Sequence, residues 1–187
     1  MPAPPADLSG LSLGDIVRLA EEKKLPPVEQ WNPTNCGHSQ MRIARDGTWF
    51  HEGSPIVRPA MVRLFSTILR REPDGGFVLV TPVEKLDIEV EDAPFTAVEV
   101  KSEGAGRERS LAFRLNTGDV IVAGPEHPLR TIEREDGPHP YVEVRAGLDA
   151  LLSRSVFYEL AAMALEEADE PLGLWSQDQF FPLEGGQ

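Results

Sequence analysis

The chain has 187 residues, and 31 Asp and Glu against 18 Lys and Arg give it a formal net charge of −13. That length suits one ordinary domain or two small ones. The acidic total excludes a general nucleic-acid binder and loose attachment to an anionic membrane, and no apolar run is long enough to span a bilayer.

Residues 1–6, Met-Pro-Ala-Pro-Pro-Ala, lack the charged and apolar regions of a secretory signal and read as a frayed tail. Ser12 to Lys24 reads as a short amphipathic helix, capped by Ser12 and stopped by Pro26-Pro27, with Ile16, Val17, Leu19 and Ala20 on its apolar side. Residues 26–40 read as an ordered loop around Trp31. The single cysteine, Cys36, excludes an internal disulfide, and with no export signal the expectation is a cytoplasmic protein.

Met41–Arg45 and Thr48–His51 flank Asp46-Gly47, a signal for a hairpin with a two-residue type I′ turn. Pro59 to Arg71 reads as a helix, with Met61, Val62, Leu64, Phe65, Ile68 and Leu69 inward and Arg63, Arg70 and Arg71 outward. Strand-like segments then follow at 77–81, 86–91, 96–101, 111–115, 120–123, 129–132 and 141–145. Leu86, Ile88 and Val90 alternate with Asp87 and Glu89. A long helix is expected from about Asp149 to Glu167. The apolar tail with Leu174, Trp175, Phe180, Phe181 and Leu183 should pack back onto the body.

Charge divides the chain. Residues 1–76 hold nine basic and nine acidic groups, whereas 77–187 hold nine basic and 22 acidic. This suggests two units: 1–76, a helix, hairpin and helix, and 77–187, seven strands and a helix. Seven strands with a C-terminal helix suggest a pleckstrin-homology-like bent antiparallel sheet or barrel. Asp46-Gly47 followed by Gly53-Ser54-Pro55-Ile56 echoes Thr117-Gly118 followed by Gly124-Pro125 and Pro128-Leu129, as in a duplicated hairpin-plus-helix unit. The expected fold class is α+β with a duplicated β-hairpin-plus-helix core.

A further set of residues points to a family. In order they are Trp31-Asn32-Pro33, Cys36-Gly37, Asp46-Gly47-Thr48-Trp49-Phe50, Gly53-Ser54-Pro55-Ile56, Arg58-Pro59, Val62 to Thr67, Leu79 to Lys85, and Val90 to Phe95. This string resembles the uncharacterised proteobacterial family called domain of unknown function 1285. The resemblance implies a duplicated α+β core with a pleckstrin-homology-like second half, and no established activity. Gln40 departs from the acidic residue expected ahead of the first hairpin strand, which argues against cation or amine binding there.

No catalytic set, metal site or cofactor is expected. Cys36-Gly37-His38 offers too few metal ligands, and Cys36 reads as a small buried residue of a tight loop. His127 and His139 sit in Pro-flanked segments expected to be exposed. Glu166-Glu167 reads as a solvated helix end. His51, Glu52 and Ser54 lack nucleophile-elbow spacing, and Gly104-Ala105-Gly106 lacks a third glycine and a helix. The leading candidates for a ligand site are Trp31, Asn32, Trp49, Arg58 and Lys85, where Arg or Lys could hold a carboxylate or phosphate against a Trp wall. The expected function is non-enzymatic binding or regulation, including signalling. A small anionic ligand or peptide would sit near the junction of the two units, and a protein partner would use a sheet edge or the tail near Trp175. The alternative is a small hydrolase-like enzyme using Cys36 or His51.

Overall fold

A computed structural model of the chain describes residues 25–184. The tail and helix expected within 1–24 lie outside them. The described residues form two compact units, 25–94 with 146–148 and 95–145 with 149–184. Sheet dominates both, and among the described residues there are two α-helices.

The N-terminal unit carries a six-stranded sheet. Its strands are β1 (Cys36–Ile43), β2 (Trp49–His51), β3 (Ser54–Pro55), β4 (Leu69–Arg71), β5 (Phe77–Val80) and β6 (Lys85–Val90), in the order β3-β2-β1-β6-β5-β4. Helix α1 (Pro59–Thr67) joins β3 to β4. Val78 and Val80 of β5 pack with Val28, Trp31 and Ile68. The two-residue strand period then turns Leu79 to the other face, so β5 is buried on both sides. Trp49 is fully buried and stacks on Phe65 of α1 at 6.5 Å.

The C-terminal unit repeats the plan. It contains β7 (Phe95–Glu103), β8 (Ser110–Leu115), β9 (Val120–Val122), β10 (Leu129–Arg134), β11 (Gly137–Arg145) and β12 (Leu148–Leu152), in the order β10-β11-β12-β7-β8-β9. In each sheet the first strand of one three-strand meander lies parallel to the last strand of the next, β1 with β6 and β7 with β12. The duplication is therefore of paired meanders around a central parallel pair. Helix α2 (Arg154–Glu167) follows β12 and packs against β7 and against β13 (Gly173–Ser176), which pairs with β14 (Gln179–Pro182). Leu174, Phe181 and Leu183 of this tail are buried, as their composition requires.

Four expectations are corrected. The division between units falls after Pro94, not Gly76, because β5 and β6 complete the first sheet and β6 supplies its central parallel pair. The seven strands that suggested a pleckstrin-homology-like unit thus divide, with the first two in the N-terminal sheet. Redrawn there, residues 1–94 hold 14 acidic and 10 basic groups, and 95–187 hold 17 and eight, a milder asymmetry. Helix α1 stops at Thr67, where the hydroxyls of Ser66 and Thr67 donate to the carbonyls of Arg63 and Leu64 and compete with the helical ladder. Pairing of Leu69 with Leu79 then takes the next residues into β4. Leu148–Leu152 is strand, not helix, because it pairs with Phe95–Ala97, and Ser153 caps α2 by accepting a bond from the Val156 N–H.

Asp46-Gly47 makes a hairpin of a different kind. Gly47 N–H donates to Ala44 O and Ala44 N–H to Thr48 O, and only Gly47 needs positive φ, at 91°. This is a turn closed by a glycine bulge. Thr48 N–H donates to Asp46 and holds its carboxyl below the usual range. The same bonding pattern recurs at Glu72–Gly76 and Leu115–Asp119, with φ of 90° at Gly75 and 91° at Gly118. The echo of residues 46–47 in 117–118 is therefore one of turn chemistry, since the first joins β1 to β2 and the second β8 to β9. A Gly118→Ala substitution should cost roughly 1–2 kcal/mol, the penalty for a left-handed L-residue, measured as a lower urea midpoint.

Candidate functional site

The strand that replaces the end of the expected helix builds the site. As a helical residue Arg70 would face solvent. In β4 it is buried at 6% exposure. Its Nη1 donates to the carbonyls of Val28 at 2.8 Å and Trp31 at 2.7 Å, and its Nη2 donates to Glu72 Oε1 at 3.0 Å. Lys85 Nζ, at the head of β6, lies 3.2 Å from the same oxygen. One carboxylate thus ties the Val28–Gln30 turn, β4 and β6 together. Burial alone would raise the Glu72 pKa, but the hydrogen bonds from Arg70 and Lys85 outweigh it and hold the carboxyl below its ordinary value.

Strand alternation turns Arg71 the other way. It is exposed, lies over the Phe77 ring at 5.6 Å, and donates from Nη1 to the Gly147 carbonyl at 3.1 Å. Among the described residues no carboxylate pairs with it. Glu29, Asn32, Arg70, Arg71, Glu72, Pro73 and Ala146 line an open groove of about 370 Å³. Counting Lys85 behind Glu72, three cations face two carboxylates. The lining alone balances two arginines against two carboxylates, Lys85 tips the neighbourhood by one positive charge, and the groove has a fixed floor with exposed donors on Arg71 and Asn32.

Three of the five expected site residues gather here. Asn32 lines the groove, Trp31 packs beneath it and gives its carbonyl to Arg70, and Lys85 neutralises Glu72. Trp49 is a core residue at 1% exposure and cannot wall an open groove. Arg58 stands exposed at the head of α1 and does not line it. Sequence reading missed Arg70, Arg71, Glu72 and Glu29. The usable signal was Leu69-Arg70-Arg71 ahead of Pro73-Asp74-Gly75, a strand entering a glycine turn.

Cys36 is exposed at the start of β1, not buried in a tight loop. His51 is paired with Met41, so about 16 Å of strand separates it from Cys36 along β1. The geometry does not unite them in one site. The His38 ring accepts a bond from Gln40 N–H through Nδ1 at 2.8 Å. His139 is buried in β11 beside Asp136, and His127 is half-buried at the Glu143 carbonyl. Glu167 is not a solvated helix end. Arg109 and the Gly106 N–H donate to it and lower its pKa. Among the described residues no cluster of three or more His, Cys, Asp or Glu is set to hold a metal ion, and no helix is long and apolar enough to cross a membrane.

The two halves also match family models. The DUF1285 N-terminal domain, a domain of unknown function, matches residues 26–93, and the DUF1285 C-terminal domain matches 94–183. The chain belongs to the DUF1285 family. The DUF1285 domain limit lies within one residue of the division of the sheets after Pro94. A DUF1285 family protein from Silicibacter pomeroyi DSS-3 is 49% identical, with a TM-score of 0.81 over 95% of this chain and 97% of that one. A DUF1285 family protein from Shewanella baltica OS155 shares the fold at 24% identity, with a TM-score of 0.52 over 70% of this chain and 94% of that one. No curated protein matches the chain.

Proposed function

We propose that this DUF1285 protein is a non-catalytic binding protein of regulatory or signalling type, with the groove beside Arg70 and Glu72 as its ligand site. The ligand is a small anion or the carboxylate of a peptide. The observation that carries this reading is the division of labour between neighbouring arginines. Arg70 is buried, is engaged through both terminal nitrogens and fixes the floor, while Arg71 stays exposed and unpaired with any described carboxylate. A guanidinium fork offers two parallel donors to a carboxylate or phosphate, and Asn32 adds an amide donor. The groove lining holds no Ser, Thr, Cys or His to serve a hydrolase as an activated nucleophile or its base, which favours binding over chemistry.

The C-terminal unit supports a regulatory class in its own way. It keeps five of the seven strands behind the pleckstrin-homology-like reading, adds β12 and ends in a helix, and pleckstrin-homology-like units recognise partners with loops and sheet edges.

A thermal-shift screen of dicarboxylates, inorganic phosphate and nucleotides tests the groove. A ligand at a hundred times its Kd should stabilise the native unit by about 2.7 kcal/mol. Arg71→Ala should abolish that shift, and Arg58→Ala should leave it unchanged. A shift that survives Arg71→Ala would place the ligand elsewhere.

A further inference from the structure

We infer that the outer face of α2, with the groove at its C-terminal end, docks a basic amphipathic helix of a partner protein. Val156, Leu160 and Ala164 form the buried face of α2. At 3.6 residues per turn, Tyr158, Ala162 and Leu165 fall together on the opposite side. Tyr158 is 62% exposed and Leu165 67% exposed, where a solvated helix face would carry polar groups. Their i, i+4, i+7 spacing is the ridge a second helix packs against.

The ridge runs into a groove. Leu165, Ala168, Pro171 and Leu172 line a space of about 450 Å³, together with Asp169, Glu170 and Glu184. Glu159 and Glu166 run along one side of the ridge, and residues 158–172 contain no Lys or Arg. Carboxylates at the C-terminal end of a helix oppose its dipole, so helix stability does not account for Glu166, Asp169 and Glu170. Glu167 has its own partner in Arg109 and takes no part.

Charge selects the occupant. A second copy of a chain with net charge −13 would set carboxylates against carboxylates. An anionic lipid surface would be repelled in the same way. A helix with a leucine-rich face edged by lysines satisfies both the ridge and its rim.

The probe is a short fluorescein-labelled peptide of leucine and lysine patterned as an amphipathic helix, followed by anisotropy against the full chain. Binding should saturate, weaken with salt, and be lost for a scrambled peptide of the same composition. Tyr158→Ser combined with Leu165→Ser should weaken it by about tenfold or more. Glu166→Lys combined with Glu170→Lys should abolish it. All four side chains lie on the surface, so the thermal melts of both variants should match the parent. No binding to the patterned peptide, equal binding of the scrambled one, or an unchanged affinity in the serine variant would overturn the proposal. Self-association through this face, seen by sedimentation as a dimer that the serine variant loses, would overturn it as well.

Discussion

Ser176→Ala should lower the stability of the C-terminal unit by about 2–6 kcal/mol, because it strands two buried backbone groups at roughly 1–3 kcal/mol each. Ser176 is completely buried. Its hydroxyl accepts from the Leu111 N–H at 2.9 Å and donates to the Ala123 carbonyl at 2.7 Å. Leu111 and Ala123 share one direct bond, from the Ala123 N–H to the Leu111 carbonyl. The hydroxyl thus stands in for the missing second rung where β9 leaves β8, and it fastens the tail hairpin to the sheet. Alanine fits the space but satisfies neither group. Urea denaturation followed by circular dichroism should show the loss, and a change below about 0.5 kcal/mol, within the range of ordinary surface substitutions, would contradict this role.

Glu72→Gln should cost about 1–3 kcal/mol at neutral pH, because a neutral amide cannot balance the buried Arg70 and the half-buried Lys85 together. The loss should shrink in acid. The folded pKa of Glu72 lies below the ordinary glutamate value of 4.5. Its stabilisation is therefore fully present above that value and disappears as pH falls through the lowered folded pKa. The parent should lose stability across this window and the variant should lose less, so their urea midpoints converge. A constant gap between them down to acid pH would show that Glu72 acts through packing and not through charge. Arg70→Met should be the more severe change, since it also strands the Val28 and Trp31 carbonyls.

Much of the sheet was legible because alternation and turn chemistry are local. Leu86, Ile88 and Val90 against Asp87 and Glu89 set β6, and glycine turns mark three hairpins. The apolar tail announced its own burial through Leu174 and Phe181. The misreadings share one cause, which is long-range strand pairing. Leu69–Arg71 and Leu148–Leu152 continue a helical apolar period, and only their partners at 77–79 and 95–97 make them strands. The site suffered the same loss. Trp31, Asn32 and Lys85 stood out as aromatic or polar residues in turn-rich segments, but the arginine that joins them was hidden in an expected helix end and the carboxylate in the turn after it. Charge misled the unit boundary, since β6 carries its acidic residues on an exposed face that says nothing of which sheet it completes.

The central claim is that the groove beside Arg70 and Glu72 receives an anion through Arg71. An NMR titration with the best ligand from the thermal screen tests it most directly, observing the Arg71 Nε–H and the Asn32 side-chain amide. Both signals should shift saturably and together, with one Kd, and Arg71→Ala should abolish the Asn32 shift. Saturable shifts confined to other residues, or an Asn32 shift that persists in the Arg71→Ala protein, would contradict the account.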